Sequence, residues 1–258
     1  MANYIAKKPD KNGIVDFTEI EHHTWSHLLE RQMKVVQQRA CDEFIHGLEK
    51  LNFPRDRIPQ CHEVSEVLYA ATGWSVAPVD AIIPLSEFFK LLSNRQFPAA
   101  TFIRRPEDLD YLEEPDIFHE YFGHCPLLTN PAYADFVHWY GQSVLGMPKQ
   151  LQSVLGRLFW FTIEFGLVTT ERGLRIYGGG ILSSFTETVY ALEDSQVQRL
   201  DFNLLAILNA TYRYDQIQKQ YFVINNLDQL FTLKNQSIIE IAKNVAMGGK
   251  PENDFLIC

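Results

Sequence analysis

The alternation of apolar and polar positions reads as a mostly helical chain. From Thr18 to about Leu51, residues Trp25, Leu28, Leu29, Val35, Val36 and Phe44 recur near helical spacing. A second helix is predicted from Cys61 to Ala71, stopped by Gly73. Ser86 to Leu92 reads as a short helix with Ser86 as its N-cap. Pro115 stands at the start of another helix, where its missing N–H costs nothing. Further helices are predicted at 131–146, 149–165, 184–194, 201–212 and 226–245, with short strands at Val168–Ile176 and Tyr221–Ile224. No repeat, low-complexity tract or Gly/Ser linker divides the chain, so residues 15–258 are expected to form a single compact domain behind a flexible arm, 1–14.

Composition sharpens this picture. With 258 residues, 46% hydrophobic and 21% charged, the chain is an ordinary globular sequence, large enough for a core with an interior pocket. A net charge of -9, spread along the chain, argues against a nucleic-acid footprint, which would be basic. No stretch approaches 18 consecutive apolar residues, and the start, MANYIAKKPDKNG, lacks the apolar run of a signal peptide. Cys41, Cys61, Cys125 and Cys258 follow no disulfide or zinc spacing and read as reduced thiols. A soluble, cytoplasmic protein with no nucleic-acid or membrane partner is expected.

The candidate chemistry lies in His119-Glu120-Tyr121-Phe122-Gly123-His124. This is not the HExxH zinc motif, whose histidines sit four apart and share a helix face. Five residues of regular helix turn the two imidazoles about 140° apart. They can meet one ion only if the backbone leaves α-geometry, and Gly123 is placed to allow a helix that distorts or ends there. A carboxylate to complete the site is found at Glu164, one acid inside the otherwise apolar WFTIEFGL. A buried carboxylate needs a partner, and a cation would supply it. Two histidines with one carboxylate match the facial triad of non-haem iron(II) oxygenases. Spacing alone leaves iron and zinc both open, and beside them a non-metal reading in which the histidines are hydrogen-bonded core residues.

Several separated strings narrow these options. PDIFHEYFGHCPLL (115–128), WFTIEFGL (160–167), YGGGILSSFTE (177–187), IPQCHEVSEVLYAATGW (58–74) and ATFIRR (100–105) resemble, in order and spacing, the tetrahydropterin-dependent aromatic amino acid hydroxylases. The resemblance runs from roughly residue 15 to 245 and is strongest to short bacterial members acting on phenylalanine. It implies a single catalytic domain without the family's regulatory domain or tetramerisation helix, and hence a monomer or small homo-oligomer. It implies iron(II) on His119, His124 and Glu164, and a tetrahydropterin against Phe88, Glu120, Ile83 and the backbone of Gly156. On the substrate side it implies Arg104 for the amino-acid carboxylate, Trp160 as the wall for the ring, Tyr111, and Ser183 supporting the first histidine.

The reaction implied is para-hydroxylation of L-phenylalanine to L-tyrosine with dioxygen. Tyrosine or tryptophan hydroxylation in the same family, a zinc hydrolase using Glu120 as base, and a non-enzymatic helical module are the alternatives. Three positions depart from the family pattern: Phe159 where relatives often carry Tyr, and Leu112 and Glu113 where animal members carry Thr and Pro.

Overall fold

The helical pattern after Thr18 is realised as two helices. In the computed structural model, which describes residues 4–80, 83–110, 114–214, 216–235 and 237–248, α1 spans Glu19–Val35 and α2 Asp42–Leu51. Thr18 and Glu21 form a capping box: the Glu21 N–H donates to the Thr18 hydroxyl and the Glu21 carboxylate accepts the Thr18 N–H. The break at 36–41 lets Ala40 bridge to Ile176. Helix α3 (Cys61–Thr72) stops at Gly73, whose φ of 74° suits a residue without Cβ. Helix α4 (Leu85–Ser93) begins after Pro84, which takes the N-cap place with an extended ψ of 143°, so Ser86 lies inside the first turn and not at the cap.

Two short parallel strands, β1 (Ser75–Val79) and β2 (Gln96–Ala100), flank α4 and were not evident in the sequence pattern. Helices α5 (Cys125–Leu128), α6 (Pro131–Val144) and α7 (Lys149–Phe159) follow. The expected strand at 168–176 is a hairpin of β3 (Gly166–Thr170) and β4 (Gly173–Ile176). Then come α8 (Gly179–Leu182), α9 (Phe185–Glu193), β5 (Gln198–Asp201), α10 (Leu204–Asn209) and β6 (Gln220–Ile224). The predicted helix at 226–245 is divided into α11 (Leu227–Thr232) and α12 (Ile238–Met247). The second sheet runs β4-β3-β6-β5, antiparallel within the hairpin and parallel elsewhere. Mostly helical with a few short strands is therefore the architecture.

Where a loose arm is expected, residues from Tyr4 onward are tied down. The Tyr4 ring stacks on Phe102 at 4.9 Å, its hydroxyl donates to Asp108, and the Lys7 N–H donates to the Thr101 carbonyl at 3.1 Å. The core beneath is strongly aromatic. Phe118 and Phe122 stack at 5.1 Å; Trp25 meets Phe118 at 5.5 Å, and Phe44 meets Phe122 at 5.8 Å. Burying each such ring contributes roughly 1.5–3 kcal/mol. These rings pin one face of the segment that carries His119 and His124, so its other face is held in place.

Candidate metal centre

Both segments that carry the candidate ligands are π-helical. The first covers His119–His124, closed by the Cys125 N–H donating to the Glu120 carbonyl. The second covers Trp160–Glu164 at the end of α7, closed by the Phe165 N–H on the Trp160 carbonyl at 2.9 Å. A π turn bonds i to i+5, so residues five apart lie over one another. That resolves the five-residue histidine step. Gly123 contributes space: a Cβ there would stand 2.6 Å from the Gly179 carbonyl oxygen. The helix distorts at this residue and does not end.

The histidine Nε2 atoms face each other at 3.1 Å, and Glu164 reaches His124 Nε2 at 3.2 Å and His119 Nε2 at 3.7 Å. A metal bond of about 2.1 Å puts neighbouring octahedral ligands about 3.0 Å apart. The donor set and its spacing therefore suit a divalent ion on one face. Glu120 is also near; one ligand atom from each of His119, Glu120 and His124 falls within 4.8 Å of the others. The contacts to Glu164 are the closer ones.

The two histidines are held differently. His119 Nδ1 lies 2.9 Å from Ser183 Oγ, which sets the ring with Nε2 toward the centre. His124 is held by packing. Its ring stacks on Phe97 at 4.8 Å, and a Cβ on Gly179 would come within 2.5 Å of it. Only a glycine at 179 lets the backbone approach so closely.

Burial drives the titration of the cluster. It pushes His119 down to about 4, against the opposing effect of Glu164. Burial alone would raise Glu164, but the neighbouring His124 and His119 and the Gly180 N–H bring its carboxyl below the usual range. Glu120 is pushed well up by burial, with Glu164 and Asp116 adding to it. A neutral His119 imidazole and an ionised Glu164 are forms that a cation takes.

Arg104 is buried and bound bidentately to Asp116, Nε to Oδ2 at 2.8 Å and Nη2 to Oδ1 at 2.9 Å. Asp116 also accepts the N–H of Arg104 at 2.9 Å and that of His119 at 3.0 Å. It thus caps the helix of the first histidine while aiming the guanidinium. Desolvation disfavours charge on both, but their mutual attraction outweighs it, keeping Asp116 low and Arg104 high. Sequence reasoning missed Asp116, although an Asp before a helical run is an N-cap signal. Phe97 carried no signal at all.

The other expected positions scatter around this centre. Trp160 lies in the π segment of Glu164, tilted on Phe165 at 4.6 Å and stacked on Tyr212 at 4.3 Å. Glu120, beside the first histidine, is 2% exposed. Phe88 is buried edge-on to Phe159 at 5.3 Å; Ile83 and Gly156 are buried too. Tyr111, Leu112 and Glu113 lie outside the described residues. Phe159 also packs on Tyr140 at 5.8 Å, an all-ring setting.

The sequence model of the biopterin-dependent aromatic amino acid hydroxylases matches residues 2–248. The chain belongs to this family. Among the hydroxylases it resembles, the phenylalanine-4-hydroxylase of Pseudomonas aeruginosa is 53% identical over 238 residues, 92% of this chain and 90% of that one. The apo structure of the cold-active phenylalanine hydroxylase from Colwellia psychrerythraea superposes with a TM-score of 0.92 at 46% identity, covering 96% of this chain and 97% of that one. A Chromobacterium violaceum phenylalanine hydroxylase with bound oxidized Fe(III) matches with a TM-score of 0.87 at 40% identity, covering 97% and 96%. Among the described residues, no helix of this hydroxylase is long and apolar enough to cross a membrane.

Proposed function

We propose that this chain hydroxylates L-phenylalanine at the para position to L-tyrosine, using dioxygen, iron(II) and a tetrahydropterin. The observation that carries the reading is the convergence of His119, His124 and Glu164 at 3.1, 3.2 and 3.7 Å beside a buried, pre-aimed Arg104. His119, His124 and Glu164 would hold the iron. Phe88, Ile83, Glu120 and the Gly156 backbone would line the pterin side.

Iron and reduced pterin, when bound, supply the electrons and the activation of dioxygen that the side chains lack. The chain's own work is placement. Arg104 spends Nε and Nη2 on Asp116, and Nη1, which makes no hydrogen bond among the described residues, is left for the substrate carboxylate. Trp160, Phe165 and Tyr212 offer an apolar wall suited to a neutral ring. Ser183 fixes the His119 ring with Nδ1 outward, keeping the Nε2 lone pair for the metal. Burial of the cluster excludes water. Tyr111 completes the substrate side as an expectation from the family pattern. Free thiols at Cys41, Cys61 and Cys125 support a cytoplasmic enzyme, which we take to be a monomer or small homo-oligomer.

Anaerobic loading with iron(II), followed by oxygen, a tetrahydropterin and each aromatic amino acid in turn, tests this. Tyrosine from phenylalanine is expected, stoichiometric with pterin consumed. Preferential hydroxylation of tyrosine or tryptophan would overturn the substrate assignment. Glu164→Ala and His119→Ala should each lose both iron and product; full retention of either refutes the ligand set.

A further inference from the structure

Glu187 is a buried carboxylate that the chemistry above leaves unused. It lies in the first turn of α9, 7% exposed, and among the described residues no cation pairs with it. Its Oε1 accepts the Tyr221 hydroxyl at 2.6 Å and the Gln218 backbone N–H at 3.3 Å. Gln218 in turn uses every polar atom of its side chain. Its Oε1 accepts the indole N–H of Trp160 at 3.2 Å, while Nε2 donates to the carbonyls of Arg213 at 2.7 Å and Gln216 at 2.9 Å. The amide has one satisfiable orientation. Turned over, its NH2 would face the indole N–H and its oxygen would face two carbonyls.

The indole of Trp160 is thereby held by three neighbours: Gln218 at its N–H, Tyr212 stacked on its face, and Phe165 tilted against it at 4.6 Å. Tyr212 and Gln218 belong to the same short segment ahead of β6, and Glu187 ties that segment to α9. Four residues before Glu187, Ser183 touches His119. The junction of α8 with the first turn of α9 therefore touches both the His119 side and the Trp160 side.

We propose that Gln218, anchored by Glu187, is the positioning residue that sets the plane of the Trp160 indole and so the fit of the substrate's aromatic ring. This rests on the reading of Trp160 as the ring wall. A loosened indole changes how well a phenyl ring is gripped and how strictly a larger indole ring is refused. It does not change the metal ligands, so the loss falls on KM and selectivity and not on kcat.

The test uses the iron-loaded enzyme with Gln218→Met, Trp160→Phe, the double variant and Trp160→Ala, each first shown to fold by its thermal transition. Gln218→Met should raise the KM for phenylalanine about fivefold, the worth of one hydrogen bond. Iron content and kcat should stay within about twofold, and tryptophan should gain relative to phenylalanine in kcat/KM. Trp160→Phe loses the N–H and part of the ring face, so it should raise KM at least as much as Gln218→Met, and the double variant should be no worse than Trp160→Phe. Gln218→Asn, which keeps the amide and withdraws it from the indole, is the variant to use if Gln218→Met does not fold. Glu187→Leu should follow Gln218→Met, and Glu187→Gln, which retains the acceptor, should rescue it.

Multiplied effects in the double variant, or a fall in kcat or iron with KM unchanged, would overturn the proposal. If Trp160→Ala raises KM strongly while Gln218→Met matches the wild type, the relay fails and the wall stands. If Trp160→Ala leaves KM unchanged, the wall reading itself is wrong.

Discussion

Asp116 and Glu187 are both buried carboxylates at helix starts, one beside Arg104 and the other behind Trp160, and their ionisation goes opposite ways. Burial pushes both up. At Asp116 the guanidinium of Arg104, bound through two hydrogen bonds, overrides burial and keeps the group charged. At Glu187 only a phenol and a backbone N–H answer the charge, and burial lifts the carboxyl to about 7. The difference teaches that depth alone does not decide a buried acid's state. A full opposing charge does. The Arg104 side of the site is thus fixed as an ion pair, and the Trp160 side rests on hydrogen bonds that a proton can alter.

The largest effect should come from breaking the ion pair. Asp116→Ala leaves Arg104 buried without its partner and should cost about 3–5 kcal/mol in denaturant unfolding. It should also raise the KM for phenylalanine, because the guanidinium loses its aim. A loss under about 1 kcal/mol would mean that Arg104 finds another partner, and the contrast with Glu187 would collapse.

Next in size is the pH dependence of Glu187. Its folded pKa lies above its ordinary value of 4.5, so its contribution to stability is fully present below 4.5 and is lost as pH climbs through about 7. A rise from 4.5 to about 7, at about 1.36 kcal/mol per pH unit, corresponds to roughly 3 kcal/mol. Unfolding measured across this window should show the wild type losing that much relative to Glu187→Gln, which cannot titrate. Asp116 has the opposite sign: its contribution is present above its ordinary 3.8 and is lost only as pH falls below it. Parallel curves for wild type and Glu187→Gln would show that Glu187 is an ordinary acid.

Ser183 stands between the two regions, and Ser183→Ala should weaken iron retention about 10- to 100-fold without unfolding the chain, measured by chelator competition. Unchanged retention would leave His119 oriented by packing alone, as His124 is. The smallest effect is expected at Phe159. Phe159→Tyr adds a hydroxyl among the rings of Phe88 and Tyr140 and should cost roughly 1–3 kcal/mol of stability with kcat nearly unchanged. A rise in kcat would show that the family's tyrosine has a chemical role missing here.

The candidate metal ligands were legible because two of them sit within six residues, and the third is a lone acid in an apolar helix. The five-residue histidine step even announced a departure from α-helix. Its form did not: a π turn at both His119–His124 and Trp160–Glu164 is decided by how each helix packs. Arg104 was legible only through the family strings, and Asp116, twelve residues on, was passed over. The helix at 226–245 looked continuous and is two, and β1 and β2 were hidden in short, Pro-containing stretches. Five-residue strands carry too little periodicity to declare themselves.

By itself the sequence determined a mostly helical, acidic chain and the donor types at His119, His124 and Glu164, since residue identity and local spacing are one-dimensional properties. Only the tertiary structure decided which charges meet. Asp116 faces Arg104, Gln218 faces Trp160 across 58 positions, and Glu187 closes on Tyr221 across 34. Such pairings arise because packing the aromatic core buries polar groups that must then find partners, wherever along the chain those partners lie.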